Sequence, residues 1–179
     1  MVPGFTSAGL LPPGDYSLTL AELRASLLVI GPGGTRRWDD QWRLHLVENL
    51  AILAAQLWRV GVQDIYINGS FVEDKAHPND IDGYFTCNLY ALATGKLESE
   101  LAKLDDIWTW DDQQRLPDRN STKRQLPMWH KYRVELYPES SDPSGIVNQF
   151  GLHLPFSQAF RQRRSTYEPK GLVRLVRTP

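Results

Sequence analysis

The longest regular pattern along the chain is helical. Trp42, Leu46, Leu50, Leu53, Leu57 and Val60 recur at spacings of four and three, laying one apolar stripe along a helix predicted over 39–60. Gly61, just past its end, is a natural C-terminal stop. His45 lies off the stripe and is expected at the surface. The pattern then changes period. Ile65, Tyr66 and Ile67 read as a buried strand that runs into Asn68-Gly69-Ser70. Tyr84 and Phe85 continue a second strand out of Asp80-Ile81-Asp82-Gly83. Residues 132–137 alternate like a half-buried strand, with Val134 and Leu136 on one face and Glu135 on the other.

Weaker patterns fill the remainder. Thr19 and Glu22 have capping-box spacing and open a short helix to about residue 28. Leu97, Leu101 and Leu104 predict a helix over 92–104, weakened at its start by Gly95. Residues 107–110 form a short strand or an aromatic plug. A short helix is expected over 156–164 and a last, weakly alternating strand over 172–176.

Between these elements lie Gly- and Pro-rich segments. Residues 1–18 read as an irregular leader on the domain surface. Gly31-Pro32-Gly33-Gly34 is a loop; it lacks the Lys-Ser/Thr ending of a phosphate-binding P-loop. Residues 111–127 are polar and read as a long exposed loop of the kind that serves as a lid, carrying Lys123 and Arg124 as candidates to meet a triphosphate or nucleic acid. Residues 138–145 form another loop. Strands interleaved with helices predict one α/β (α+β) domain over 1–179.

The densest chemistry sits in Pro78-Asn79-Asp80-Ile81-Asp82-Gly83. In a strand, residues i and i+2 share a face, so Asp80 and Asp82 stand side by side, about 6.5 Å apart at the backbone. Two carboxylates so close repel, and a divalent cation is the simplest compensation; hard oxygen ligands suit Mg2+ or Mn2+. A calcium loop fails, because Pro78 and Leu89 occupy positions that require oxygen ligands. Gly69 lets a phosphate approach the backbone, and Ser70 offers a hydroxyl and a backbone donor. Asn68-Gly69-Ser70 also matches a glycosylation sequon, an accidental match in a chain with no secretory signal. Arg161, Arg163 and Arg164 end the predicted 156–164 helix and face a nucleotide, a nucleic acid or water. His130 and His153 are isolated, with no zinc-ligand spacing around them.

Composition narrows the setting. A net charge of −1 calls for no polyanionic partner globally, and a local basic patch stays open. Cys87 is the only cysteine, so no internal disulfide forms and a reducing compartment, the cytoplasm, is expected. No apolar run is long enough to predict a membrane span.

Gly69-Ser70, nine residues, then Asp80-Ile81-Asp82 resembles the signature of the DNA-polymerase-β-like nucleotidyltransferase superfamily. The chain more closely resembles a group of small nucleotidyltransferase-like bacterial proteins, the DUF6932 type, through Leu11-Pro12-Pro13-Gly14, Gly69-Ser70-Phe71-Val72, the Asp80 segment, Val134-Glu135-Leu136-Tyr137-Pro138 and Pro169-Lys170-Gly171. The resemblance implies a nucleotidyltransferase-like fold, a mixed β-sheet flanked by helices, in which a long helix precedes the strand ending in Gly-Ser. It implies Gly69 and Ser70 at nucleotide phosphates, and Asp80 and Asp82 as catalytic metal ligands. It also implies a third acid from a later strand, for which Glu135 is the candidate as metal ligand or general base. Many members of the superfamily place arginine directly after Gly-Ser; here Phe71 stands there, and Lys75 is the candidate substitute in nucleotide binding. The implied chemistry moves a nucleoside monophosphate from a nucleoside triphosphate to an acceptor with Mg2+ or Mn2+. Small enzymes of this kind act in toxin–antitoxin or phage-defence pairs. The acceptor stays open: a protein side chain, an RNA end or a small molecule, with a partner protein or a second copy as candidates to complete the site. A catalytically weak nucleotide-binding regulatory module and a partner-binding domain are the competing readings.

Overall fold

The structure is a computed structural model that describes residues 1–33, 37–119, 123–140 and 144–177. Its spine is helix α3 (Asp40–Arg59), and the apolar stripe explains its placement. Leu46, Leu50, Leu53 and Leu57 are fully buried, and Val47 and Ala54 widen the packed face. The Asp39 carboxylate accepts a hydrogen bond from the Trp42 amide and caps the first turn, while Gly61 follows the last turn at φ 90°. Short helices α1 (Leu20–Arg24) and α2 (Leu27–Ile30) pack on α3 from the N-terminal side. The Thr19–Glu22 capping box is formed as the spacing predicts. Ser26 accepts from the Leu28 amide, which restarts the chain as a second helix instead of one continuous element to residue 28.

Behind α3 lies a five-stranded mixed sheet of order β1-β9-β2-β3-β6, built from β1 (Asp15–Leu18), β2 (Ile65–Asn68), β3 (Ile81–Phe85), β6 (Val134–Pro138) and β9 (Leu172–Leu175). The pairs β1/β9 and β3/β6 are parallel; β9/β2 and β2/β3 are antiparallel. Strand alternation gives the sheet two different faces. Ile65, Ile67, Ile81, Phe85, Val134 and Leu136 join the core under the helices. Tyr66, Tyr84 and Leu172 belong to a second cluster with Ile146, Ala159 and Phe160 on the other side. That second cover comes from the paired strands β7 (Ile146–Val147) and β8 (His153–Leu154) and from α7 (Phe156–Ala159).

Several segments depart from the sequence expectation. Residues 1–18 are not wholly an irregular surface leader: β1 forms the sheet edge, and Leu10 and Leu11 are buried, tied in by the Leu11 amide to the Val72 carbonyl. Four residues are too few for alternation to announce a strand. The terminal strand β9 is interior, between β1 and β2, which explains why Leu172, Val173 and Leu175 are all buried. The helix expected over 92–104 is two, α4 (Leu89–Ala93) and α5 (Lys96–Ala102), divided by Gly95 at φ 70°. Residues 107–110 are the aromatic plug: Trp108 is buried against α3 through Gln56, and the Trp110 indole donates to the Leu136 carbonyl. The predicted 111–127 loop contains the short ladder β4 (Leu116–Pro117) and β5 (Arg124–Gln125), followed by α6 (Pro127–Tyr132). The helix expected over 156–164 stops at Ala159. Of the Gly31–Gly34 loop, Gly34 lies outside the described residues. Among the described residues no helix is long and apolar enough to cross a membrane.

One buried charge fastens the layers together. Arg43 of α3 is fully buried and donates to four main-chain carbonyls: Leu28 (2.6 Å), Phe71 (2.8 Å), Glu73 (3.2 Å) and Lys75 (2.6 Å). Its guanidinium lies over the Trp38 ring at 4.0 Å and the Phe71 ring at 5.1 Å. Burial lowers its pKa to about 9, against the pull of Asp74, so it stays charged at neutral pH. Arg43→Met keeps much of the volume and removes a donor from four carbonyls, of which Glu73 keeps the Lys75 amide. The expected cost is roughly 3 kcal/mol or more, a fall in melting temperature of about 6–12 °C for a chain this size. Thermal melting by circular dichroism measures it.

Candidate functional site

A single turn of 3-10 helix, Gly69–Val72, ends β2 and sets the geometry of everything near it. Gly69 is at φ 67°, and a Cβ there would collide with the Asp82 carboxylate, so this position needs glycine for both reasons. Asn68 holds the turn in place: its side-chain oxygen accepts from the Gly69 amide at 2.7 Å, and its amide donates to the Gly171 carbonyl at 3.0 Å. Asn68 is also buried, so the sequon it heads is closed to modification. Phe71 and Val72 point into the core, so Phe71 stacks under Arg43 and does not face the site.

Because β3 runs antiparallel to β2, its start lies beside the Gly69 turn. Because β6 runs parallel to β3 in the register Asp82↔Glu135, the two acids are direct neighbours across the strands. Asp80 precedes β3 by one residue and shares the parity of Asp82. A cavity of about 830 Å³ opens at these strand ends, and Gly69, Ser70, Asp80, Asp82 and Glu135 all line it. Five of the six predicted site residues are thereby brought together. Lys75 is not. It is exposed and outside the cavity lining, and its carbonyl serves Arg43.

Each acid is held differently. One Asp80 oxygen accepts from the Trp129 indole at 2.7 Å, and Arg133 stacks on that indole at 3.8 Å. Glu135 is buried. It accepts from the Leu126 amide (3.0 Å) and the Tyr137 hydroxyl (2.6 Å), and Arg115 approaches at 3.6 Å. Among the described residues no hydrogen bond reaches the Asp82 carboxylate. Burial first, then the charges of Asp80 and Glu135, push the Asp82 carboxyl up to about 7; Arg164 and Lys170 oppose this. Desolvation and Glu135 likewise raise the Tyr137 phenol far above its ordinary range, so it remains a donor to Glu135.

Sequence reasoning named Lys123, Arg124, Arg163 and Arg164, which line the cationic side of the cavity, and passed over Lys170 and Arg115. Lys170, buried, donates to the Gly69 carbonyl at 3.1 Å and to Glu73 at 2.7 Å; burial lowers its pKa and Glu73 partly restores it. Arg163 also reaches Glu73, at 3.5 Å, and Arg164 lies on the same wall. Arg115, Lys123 and Arg124 enter from the β4–β5 arm. Pro169-Lys170-Gly171 was visible as a motif, but nothing local in it says that a lysine 101 residues later meets Gly69. Arg161, by contrast, pairs with Asp15 outside the cavity lining.

The sequence model of a family of unknown function, DUF6932, matches residues 3–176. The chain belongs to the DUF6932 family. No curated protein and no solved structure matches it. In this DUF6932 protein the match runs from before β1 to just past β9, so the acids, the Gly69 turn and Lys170 all fall within it. Among the described residues no three acidic, histidine or cysteine side chains form a ready-made metal cluster.

The raised Asp82 carboxyl gives a pH prediction. Between about pH 4 and 7 the folded state holds a proton that the unfolded chain has lost, so stability falls as pH rises through that window. In metal-free buffer, Asp82→Asn removes the penalty. Its melting temperature should exceed that of the native protein by roughly 2–6 °C at pH 8 and by much less at pH 5, measured by differential scanning calorimetry.

Proposed function

We propose that this DUF6932 protein is a metal-dependent nucleotidyltransferase, moving a nucleoside monophosphate from a nucleoside triphosphate to an acceptor hydroxyl. The observation that carries the proposal is the parallel register of Asp82 with Glu135, which sets two acids beside Asp80 at the mouth of a cation-lined cavity next to the Gly69-Ser70 turn.

The donor set fits a hard divalent cation. It is all oxygen, and Asp82 carries charge repulsion that such an ion relieves. Asp80 and Asp82 would hold Mg2+ or Mn2+, with Glu135 as the third ligand once it leaves Arg115 and Tyr137. When bound, the ion neutralises triphosphate charge and lowers the pKa of an acceptor hydroxyl. The chain's own groups do the rest. Gly69 admits a phosphate to the backbone, and Ser70 offers its hydroxyl. Lys170, Arg163 and Arg164 attract the phosphates. Glu135 takes the proton as the acceptor oxygen bonds to the α-phosphorus, and the bond to the β-phosphate oxygen breaks to release pyrophosphate. We place the reaction in the cytoplasm, with a protein side chain, an RNA end or a small molecule as acceptor.

A second reading is a nucleotide-binding regulatory module without turnover. It is favoured by the saturation of Glu135 with Leu126, Tyr137 and Arg115. Incubation with Mg2+ and labelled nucleoside triphosphates, with and without cell extract, separates the two. Label transfer should fall to background in Asp82→Asn and by roughly 10²–10⁴-fold in Glu135→Gln. Metal-dependent nucleotide binding without transfer selects the regulatory module. Neither binding nor transfer overturns both.

A further inference from the structure

We propose that the aromatic wall of the cavity, formed by Tyr137, Phe156 and Phe160, is a stacking subsite for the nucleobase of the triphosphate. The assignment rests on the nucleotidyltransferase reading and adds to it the place and chemical class of the ring.

The wall follows from strand alternation. Tyr84 stands two residues after Asp82 and Tyr137 two after Glu135, so both tyrosines project from the face that carries the acids, about 6.6 Å further along each strand. A ribose bridges a step of that size. Helix α7 lays Phe156 and Phe160 over the tyrosines. Phe156 stacks on Tyr137 with ring centroids 4.6 Å apart and planes at 15°. Phe160 is tilted against Phe156 at 5.6 Å and against Tyr84 at 5.9 Å. Phe156 and Tyr137 are both half-buried and both line the cavity, with Ile146 and Ala159 extending the apolar surface.

The same cavity thus has two unlike sides. Six cationic side chains suit a polyanion, and an inorganic polyphosphate would leave the aromatic side unused. A ligand that is a planar ring at one end and a polyphosphate at the other fits both. Gln162 and Ser165 lie in the lining and supply an amide and a hydroxyl for the ring edge. Tyr137 joins the halves: its ring stacks on Phe156 while its hydroxyl donates to Glu135 and receives Arg115 at 3.3 Å. A nucleobase stacked there reports its presence directly to the third acid.

The test is isothermal titration of the full chain with Mg2+ against tripolyphosphate and the four common ribonucleoside triphosphates. In the native protein at least one nucleoside triphosphate should bind about tenfold or more tightly than tripolyphosphate, the increment expected of one stacked base. Phe156→Ala should erase that difference and leave tripolyphosphate affinity unchanged. Phe156→Leu, which keeps the apolar packing, guards against misfolding: should the alanine variant also lose tripolyphosphate, a narrowed gap in the leucine variant supports the subsite and an unchanged gap overturns it. Equal binding of nucleotides and tripolyphosphate by the native protein, or a gap untouched by Phe156→Ala, overturns the subsite and leaves the nucleotidyltransferase reading standing. No binding of any of these ligands removes that reading, and the subsite with it.

Discussion

The site depends on one pairing, the parallel ladder between β3 and β6. Its register sets Asp82 opposite Glu135 and Gly83 opposite Leu136. A strand's faces alternate, so a one-residue slip of β3 would turn Asp82 into the core beneath α3 and Ile81 out toward the cavity, while Glu135 kept its face. Gly83 helps to forbid the slip. A Cβ at that position would strike the Tyr66 carbonyl and the Leu136 side chain, so only glycine allows the sheet to close this tightly at its centre. The apolar burial of Ile81, Phe85, Val134 and Leu136 therefore fixes where the charges stand.

Once the acids are fixed, the surrounding elements divide the labour of managing their charge. Asp80 leans on an indole, and Glu135 on a phenol, an amide and a guanidinium. Asp82, without such bonds among the described residues, bears most of the electrostatic tension. The cations that answer these acids arrive from two distant stretches, the β4–β5 arm and the segment that leads into β9. On the proposed reading, a bound divalent cation relieves that tension. The reading as a nucleotidyltransferase draws its force from that imbalance together with the Gly69 turn.

How much of this was legible in the sequence varies with range. Helix α3, the Thr19 cap and the strand through Ile65 and Ile67 follow from local periodicity and capping chemistry, and the structure has them. Glu135 emerged from alternation plus resemblance, and its pairing with Asp82 is what a strand of that pattern can do. The edge strand β1 and the interior position of β9 were not legible as such, because four-residue strands carry too little pattern and sheet order is a long-range property. α6 was hidden by a proline that reads as a break but sits at the first helical turn, where its missing donor costs nothing. Lys75 was favoured for its nearness in sequence to the Gly-Ser turn, whereas the lysine that reaches the turn comes from the far end of the chain.

Arg43 carries a consequence for how this family can diversify. Its hydrogen bonds to the segment after Gly69-Ser70 go to main-chain oxygens, with the Phe71 ring and the Asp74 charge beside it, so they follow the path of the chain and not the Lys75 or His77 side chains. Substitution at exposed Lys75, or at His77 just beyond, leaves that grip intact. A loop beside the candidate site is thus released from encoding its own conformation, and its outward chemistry is free to vary while the scaffold beneath stays the same.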